Sequence, residues 1–331
     1  MNLEWKKIKK PIIALSPMAD MTDMPYCRIV KEVTGEIDYP IVFREMVSSD
    51  AVFRGNDKTM EMVKIHPDER PLVQQLFGGD PYVMKEAALK IQDTFKPDGF
   101  DINMGCPVYK ITSNFHGAAL MKDCPTSVNI ISEMKSVINV PLSVKIRSGW
   151  TDPKECFTFA PAIENAGADL ITIHGRTKEQ GYQGKSNWKL IGELKKQIKI
   201  PLLANGDIHT PEDVVRALDI TKADGVLIAR GALGNPWFFK QAKSLIENGT
   251  YEIVPLSEKI NTILRHLDFH VDHYGPESYR TFRKHITWYF KGMHGIKKYK
   301  ERLHTFEGKN DLIQIFDEIK SDKELNAENT F

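Results

Sequence analysis

The chain has no apolar run long enough to cross a bilayer, which takes about twenty consecutive residues. Its start, Met1 to Lys10, is basic, but no signal-peptide core or cleavage site follows. The four cysteines, Cys27, Cys106, Cys124 and Cys156, are scattered and form no CxxC pair. That spacing argues against a zinc site or a disulfide framework and fits a reduced, cytoplasmic protein. The net charge is only +1, so the overall balance does not point to nucleic acid. No low-complexity tract breaks the 331 residues, and no carboxylate cluster offers itself to a metal.

What remains is ordinary globular composition, with 41% hydrophobic and 27% charged residues. This is enough chain for one large domain and a smaller one. Short apolar runs recur at Ile12–Ser16, Ile41–Glu45, Leu72–Phe77, Gly99–Asn103, Leu142–Ile146, Leu170–His174, Leu202–Asn205 and Gly225–Ala229. Strands buried on both faces read this way. Between them lie helical segments at Pro25–Val33, Pro81–Phe95, Pro125–Ile138, Lys154–Ala166, Trp188–Lys195, Pro211–Leu218 and Pro236–Ile246. Several open on a first-turn proline preceded by Asp, Cys, Thr or Asn. The link from Val47 to Pro71 has no clear pattern. Eight strand–helix units predict an α/β fold, a (β/α)8 TIM barrel over residues 1–249. A doubly wound sheet would carry a Gly-rich turn after its first strand, and Ser16-Pro17-Met18-Ala19 is not one.

After Gly249 the strand-like runs stop. Ile260, Ile263, Leu264, Leu267 and Val271 fall at helical spacing, as do Phe282, Ile286, Tyr289, Phe290 and Met293, then Leu312, Ile313, Phe316 and Ile319. Residues 250–331 are expected to form a small all-helical domain, frayed from Ser321 onward. Between Arg280 and Lys309 there are nine basic residues against two acidic ones, with Trp288, Tyr289, Phe290 and Tyr299 interleaved. Such a stretch is either a solvated helix face or a surface for phosphates.

In a barrel the site lies at the carboxyl ends of the strands. Those ends read Ser16-Pro17-Met18-Ala19, Arg44-Glu45-Met46, Gln75-Leu76-Phe77-Gly78, Asn103 with Cys106, Lys145-Ile146-Arg147, His174-Gly175-Arg176, Asn205-Gly206-Asp207 and Ala229-Arg230-Gly231. Polar groups therefore converge from nearly every strand. Cys106 sits on a loop after a strand, where Pro107 prevents a helix, so it is either a buried small hydrophobe or a reactive thiol. Gly206 and Gly231 let main-chain N–H groups approach a phosphate, with Arg230 beside them; Asn205-Gly206 alone would be an ordinary turn. Lys145 either forms a Schiff base or stays charged and holds an anion. With Arg147 and His174 nearby and no metal site, a phosphate-bearing cofactor fits.

Together these motifs resemble the tRNA-dihydrouridine synthases. The likeness runs through Pro17-Met18-Ala19, Gln75 to Gly78, Asn103-x-Gly105-Cys106-Pro107, Lys145-x-Arg147, His174-Gly175-Arg176-Thr177, Asn205-Gly206-Asp207 and Ala229-Arg230-Gly231. It extends to Arg283-Lys284-His285 and Trp288-Tyr289-x-Lys291-Gly292. It implies an FMN-binding barrel followed by a helical tRNA-binding domain, and reduction of the C5–C6 bond of particular uridines. NADPH, or NADH, reduces the flavin, hydride passes to C6, and a cysteine, here Cys106, protonates C5. The resemblance puts Pro17, Met18, Ala19, Gln75, Lys145 and His174 against FMN, with Asn205, Gly206, Asp207, Ala229, Arg230 and Gly231 around its phosphate and ribityl chain. Lys145 would stabilise the anionic reduced ring. Asn103, Arg147 and Tyr182 match positions that hold the target uracil. Arg283, Lys284 and Lys291 are expected to meet tRNA. A monomer without bound metal is expected. Asp20, Ser113 and Phe115 depart from the family pattern: a glycine is common at the first, and a lysine and a small residue at the others.

Overall fold

In the computed structural model, which describes residues 3–36, 39–322 and 325, eight parallel strands close into a barrel in chain order. They are β1 (Ile12–Leu15), β2 (Ile41–Ser48), β3 (Leu72–Phe77), β4 (Gly99–Met104), β5 (Leu142–Arg147), β6 (Leu170–His174), β7 (Leu202–Asn205) and β8 (Gly225–Ile228). Around them lie α1 (Met24–Thr34), α2 (Ser49–Phe53), α3 (Asp57–Met62), α4 (Pro81–Phe95), α5 (Tyr109–Thr112), α6 (Cys124–Lys135), α7 (Cys156–Asn165), α8 (Trp188–Lys195), α9 (Pro211–Thr221) and α10 (Phe238–Asn248). Asp80, Asp123, Asn187 and Thr210 each accept a first-turn N–H, so the Asx/Thr-plus-proline signals mark real helix starts at α4, α6 and α9. The segment expected to open at Pro236 instead starts at Phe238, with no side-chain cap, and the Asn235 amide donates to Gln241.

Side chains alternate in and out along each strand. Outward residues such as Ile13, Leu15, Val42, Leu76, Ile102, Ile146 and Ile173 join the helices in one continuous core. Inward residues form two zones. At the amino end, Ile12, Ala14, Ile41, Phe43, Val73, Leu170, Leu203 and Leu227 close on Leu3 and Trp5 of the leading segment, which plugs the barrel floor. Toward the carboxyl end the inward positions turn polar: Gln75, Asp101 and Ser143 face one another in register, and Asn103 pairs with Lys145 one step higher.

The segment without clear pattern resolves into an extended β2, α2, α3 and a short 3-10 turn. The register slips between Arg44 and Val47. Arg44 points away from the barrel mouth, contrary to the reading of that strand end. Its guanidinium donates to Glu69 at 2.7 Å, and both are buried at 1% exposure or less. It also donates to the carbonyl oxygens of Met62 and Lys64, so it ties down the β2–β3 connection.

The chain after Gly249 is helical: α11 (Leu256–Tyr274), α12 (Tyr279–Tyr289), α13 (Lys300–Thr305) and α14 (Lys309–Ser321). Ser321 thus closes a helix, and most of the tail expected to fray after it lies outside the described residues. Ile260, Ile263, Leu267, Phe282, Ile286, Leu312, Ile315 and Phe316 form a second apolar cluster. Ile315, not Ile313, is the fully buried residue of that turn. This bundle packs α11 along α1 and leans on the barrel mouth. Its seam is polar. Asp23 caps α1 through Tyr26 N–H and accepts from the Tyr274 hydroxyl at 3.2 Å, with His285 Nε2 at 3.9 Å. Burial alone would raise its pKa, yet His285 and Lys284 override that and hold the carboxyl ionised. His270, which donates to or accepts from Thr281, stands within 4.8 Å of the same group. Both Asp23 oxygens are thus already engaged, and the cluster fastens the bundle to the barrel.

One close backbone approach in that seam is at Gly234, in the loop after β8. It has φ +70°, and a Cβ there would lie 2.1 Å from the Trp288 carbonyl carbon on α12. Gly234→Ala should therefore lower stability by about 2–3 kcal/mol. Equilibrium urea unfolding checks this.

Candidate active site

The polar ends of the strands open on one cavity of about 440 Å³, lined by residues of the strands β2 to β8 and of the loops after β1, β4, β6, β7 and β8. Pro17, Met18, Ala19, Gln75, Asn103, Cys106, Lys145, Arg147, His174, Tyr182, Asn205, Gly206, Asp207, Ala229 and Arg230 all line it. Their convergence follows from strand parity. Residues 103, 145, 147, 174 and 205 are inward positions at the carboxyl ends. Gly231 does not reach the cavity. It packs where a Cβ would stand 2.5 Å from the Ile208 carbonyl oxygen, so it lets the loops after β7 and β8 lie back to back.

Cys106 is half-buried at the cavity edge. Asn103 fixes its loop: the amide oxygen accepts from Gly105 N–H at 3.1 Å and Cys106 N–H at 2.9 Å. The Asn103 amide nitrogen donates to Gln75 Oε1 at 2.9 Å and lies 3.1 Å from the Met46 sulfur. Gln75 in turn donates to Asp101, which accepts from Ser143, both at 2.6 Å. A polar chain therefore climbs from the barrel interior to the cysteine. Both Asn103 N–H groups are used in it, so this residue serves the loop's shape as well as the cavity. Burial raises the Asp101 pKa to about 6, offset by its bonds to Ser143 and Gln75. Behind Cys106 stands Gly117 at φ +61°, where a Cβ would be 2.9 Å from the Cys106 carbonyl oxygen. Ala118 N–H donates to that oxygen.

Two cations flank the thiol. Lys145 has no hydrogen bond or ion pair among the described residues. Burial and then Arg147 lower its pKa to about 8, while Asp101 and Cys106 oppose them. Arg147 donates to the carbonyls of Gly105, Thr177 and Gly181, each at 2.8 Å. Burial lowers it to about 10, so it stays charged. His174 is held well below its ordinary pKa by burial and by Lys145, Arg147, Arg176 and Arg230 around it. Tyr182, 61% exposed, stands over the mouth with the Arg147 and Arg230 guanidinium groups 5.8 and 5.3 Å from its ring.

At the far side, the main-chain N–H groups of Gly206, Asp207, Arg230 and Gly231 donate to no protein acceptor among the described residues. Gly206 (φ +103°) and Asp207 (φ +57°) turn that backbone outward. Free amides beside Arg230 form a nest for an anion. The Asp207 carboxylate is occupied: it accepts from Arg176 at 2.8 and 2.9 Å and from Ser186 N–H at 2.7 Å. It therefore offers the nest its backbone rather than its charge. Asn205 donates to the Leu227 carbonyl at 2.6 Å and locks β7 to β8.

The three basic residues expected on the helical part divide. Arg283 donates to the Thr305 and Phe306 carbonyl oxygens and closes the end of α13. Lys284 is half-buried near Asp23 and Glu45 at the barrel rim, and Lys291 is exposed over the Trp288 ring at 4.6 Å. Within the same stretch Lys298, Arg302 and Lys309 pair with Asp322, Glu318 and Asp268 from outside it. Two family departures also find their place. Asp20 and Phe115 both adopt left-handed φ, +62° and +60°. Asp tolerates that region, while a phenylalanine there is strained. Sequence reading named Met46 only as part of a strand end, missed Asp101 and Ser143, and left Arg176 without a role.

A thiol, two cations and an amide nest thus converge at the mouth of a (β/α)8 barrel, an arrangement with the donors to receive an anionic group. The family model described as "Dihydrouridine synthase (Dus)" matches residues 13–326, and the chain belongs to that family of oxidoreductases. It is 34% identical over 325 residues to the tRNA-dihydrouridine synthase B of Pasteurella multocida, covering 96% of each chain. It is 34% identical to a probable tRNA-dihydrouridine synthase of Rickettsia prowazekii, covering 85% of this chain and 86% of that one. Among solved structures, an old yellow enzyme homologue from Zymomonas mobilis superposes with TM-score 0.54 at 12% identity, over 78% of this chain and 94% of the other. A 2-naphthoyl-CoA reductase does so with TM-score 0.56 at 14% identity, over 75% and 52%. These two likenesses are of fold.

Lys145 should titrate near pH 8 in the ligand-free protein, protonated below and neutral above. Amine acylation followed by mass spectrometry should show one lysine whose reactivity rises through that pH, absent in Lys145→Met. An anion bound in the cavity should move the midpoint upward.

Proposed function

We propose that the chain reduces the C5–C6 bond of specific uridines in tRNA, using FMN reduced by NADPH or NADH. The observation that carries this reading is the Cys106 thiol opening on a cavity between Lys145 and Arg147. The cavity's groups suit a flavin mononucleotide: Lys145, without a partner among the described residues, and the neutral ring of His174 toward the ring system, with Gln75 beside them, and the Gly206, Asp207 and Arg230 amides toward the phosphate. Pro17, Met18 and Ala19 give the opposite wall its apolar surface. FMN, when bound, supplies hydride to uracil C6.

The chain's own residues do the rest. Cys106 holds a proton at Sγ, where it can pass to C5. The thiolate left behind is stabilised by Lys145 and Arg147, the two cations next to it. Lys145, with its pKa near 8, is mostly charged at pH 7, which suits holding negative charge better than forming a Schiff base. Arg147, Asn103 and Tyr182 surround the space left for the uracil. A uracil in folded RNA must leave its stack, at a cost on the order of a few kcal/mol. Phosphate contacts offset that cost, and Lys284 on α12 and the exposed Lys291 just beyond its end are the groups to make them. The barrel, residues 1–249, is the catalytic part and residues 250–331 the RNA-docking part.

Purified protein should be yellow. Cys106→Ala should keep its flavin and its reduction by NADPH while dihydrouridine formation falls by roughly 10²–10⁴-fold. Single-turnover assays on tRNA with mass-spectrometric detection of dihydrouridine decide this, and full activity in the variant removes Cys106 as the acid. Lys284→Gln with Lys291→Gln should weaken tRNA binding at all sequences and reduce the salt slope by about one for each phosphate no longer neutralised. Binding isotherms between roughly 50 and 200 mM salt measure that slope.

A further inference from the structure

Arg176 lies outside every role assigned above, yet its guanidinium is the most heavily used group beneath the cavity. It is 3% exposed. Nε donates to the Gln183 carbonyl at 3.0 Å, and Nη2 donates to the Gly184 carbonyl at 2.5 Å and to both Asp207 oxygens. Nη1 meets His174 Nε2 at 3.1 Å.

The last contact has a strict chemical consequence. A guanidinium has donors and no acceptor. His174 Nε2 must therefore accept, which requires a neutral ring with its proton on Nδ1. Nδ1 has no protein partner, and it is not among the sealed, unsatisfied atoms of the described residues, so it opens on the cavity that His174 lines. The charged groups around the ring work the same way. Lys145 and Arg147 on β5, Arg176 after β6 and Arg230 after β8 oppose a proton on it. Of the nearby acids, Asp207 after β7 is consumed by Arg176 itself, and Asp101 on β4 is held by Gln75 and Ser143. A Cβ at Gly206 would stand 2.5 Å from the ring, so the backbone there also fixes its orientation.

We propose that Arg176 is a positioning residue that locks His174 as a permanently neutral Nδ1–H donor toward the bound cofactor, and through Gln183 and Gly184 ties the Tyr182 loop to the same anchor. Arg176 touches no ligand in this scheme. It acts through a tautomer, so no change of pH between about 5.5 and 8.5 alters what His174 presents. The role in flavin tuning rests on the cofactor reading above; the tautomer does not.

The test is long-range ¹H–¹⁵N NMR of ¹⁵N-histidine-labelled protein, with His174→Gln used only to assign the signal. Purified wild-type protein should show His174 as one neutral tautomer, protonated at Nδ1, across that pH range. An Nε2-protonated ring or an imidazolium in wild-type protein overturns the proposal, even if Arg176 variants fail to fold. Arg176→Met should release the ring into mixed tautomers, and Arg176→Lys, which keeps a donor, should largely restore Nδ1–H. An unchanged tautomer in Arg176→Met also overturns it. With flavin bound, the absorption maximum should stay flat with pH in wild-type protein and drift in Arg176→Met, and the midpoint potential should follow only the flavin's own proton uptake in wild-type protein and depart from that slope in Arg176→Met. If the protein holds no flavin, the cofactor reading fails while the tautomer result still stands or falls alone.

Discussion

Everything at the barrel mouth depends on where Asn103 sends its amide. Its oxygen gathers the two N–H groups that precede and include Cys106, and its nitrogen reaches back to Gln75 and Met46. Without that clasp the thiol would hang on a free loop after a strand end. With it, the cysteine inherits the rigidity of the barrel through Gln75, Asp101 and Ser143. A buried polar chain of this sort is stable because its members satisfy one another. The glycine at 117 completes the arrangement by leaving room behind the loop for a backbone hydrogen bond rather than a side chain.

The second constraint is electrostatic. Lys145, Arg147, Arg176 and Arg230 crowd one small volume, and Asp101 and Asp207 are the acids set against them. Arg176 is neutralised by Asp207, and Arg147 is held by three carbonyls. Lys145 has no such partner among the described residues. Uncompensated buried charge is costly, and a chain keeps it where a ligand of opposite sign restores the balance. The amide nest beyond Asn205 adds to the same field with partial charges that need no counter-ion. The neutral histidine between these groups is the expected response of a titratable ring to surplus positive charge.

Much of this was legible in the chain. Strand ends carry Asn103, Lys145, Arg147, His174 and Asn205 at inward parity, and apolar runs bounded by turns locate those ends. The eight strands and the change to helix after Gly249 followed from the same periodicity. Other features were hidden for physical reasons. Arg44 reads like a site residue, but strand alternation puts it on the outer face with Val42, where it meets Glu69, and the register shift that follows it leaves no mark in the sequence. The Gln75–Asp101–Ser143 row needs cross-strand register, which no single strand contains. Arg283 looked like a phosphate contact, yet it spends its donors on backbone carbonyls some twenty residues away in sequence. Asp207 looked like a ligand group, but its carboxylate belongs to Arg176.

The barrel's closure has one more effect. Each of the eight strands is paired on both sides, so the ring offers no unpaired edge onto which another chain could stack. Loops at its mouth can then be lengthened, strained or made greasy without nucleating aggregates. Exposed Val108 and Tyr109, and Phe115 in its awkward backbone state, sit on such a loop. Length and character of the rim loops are thereby uncoupled from the pairing of the ring beneath them.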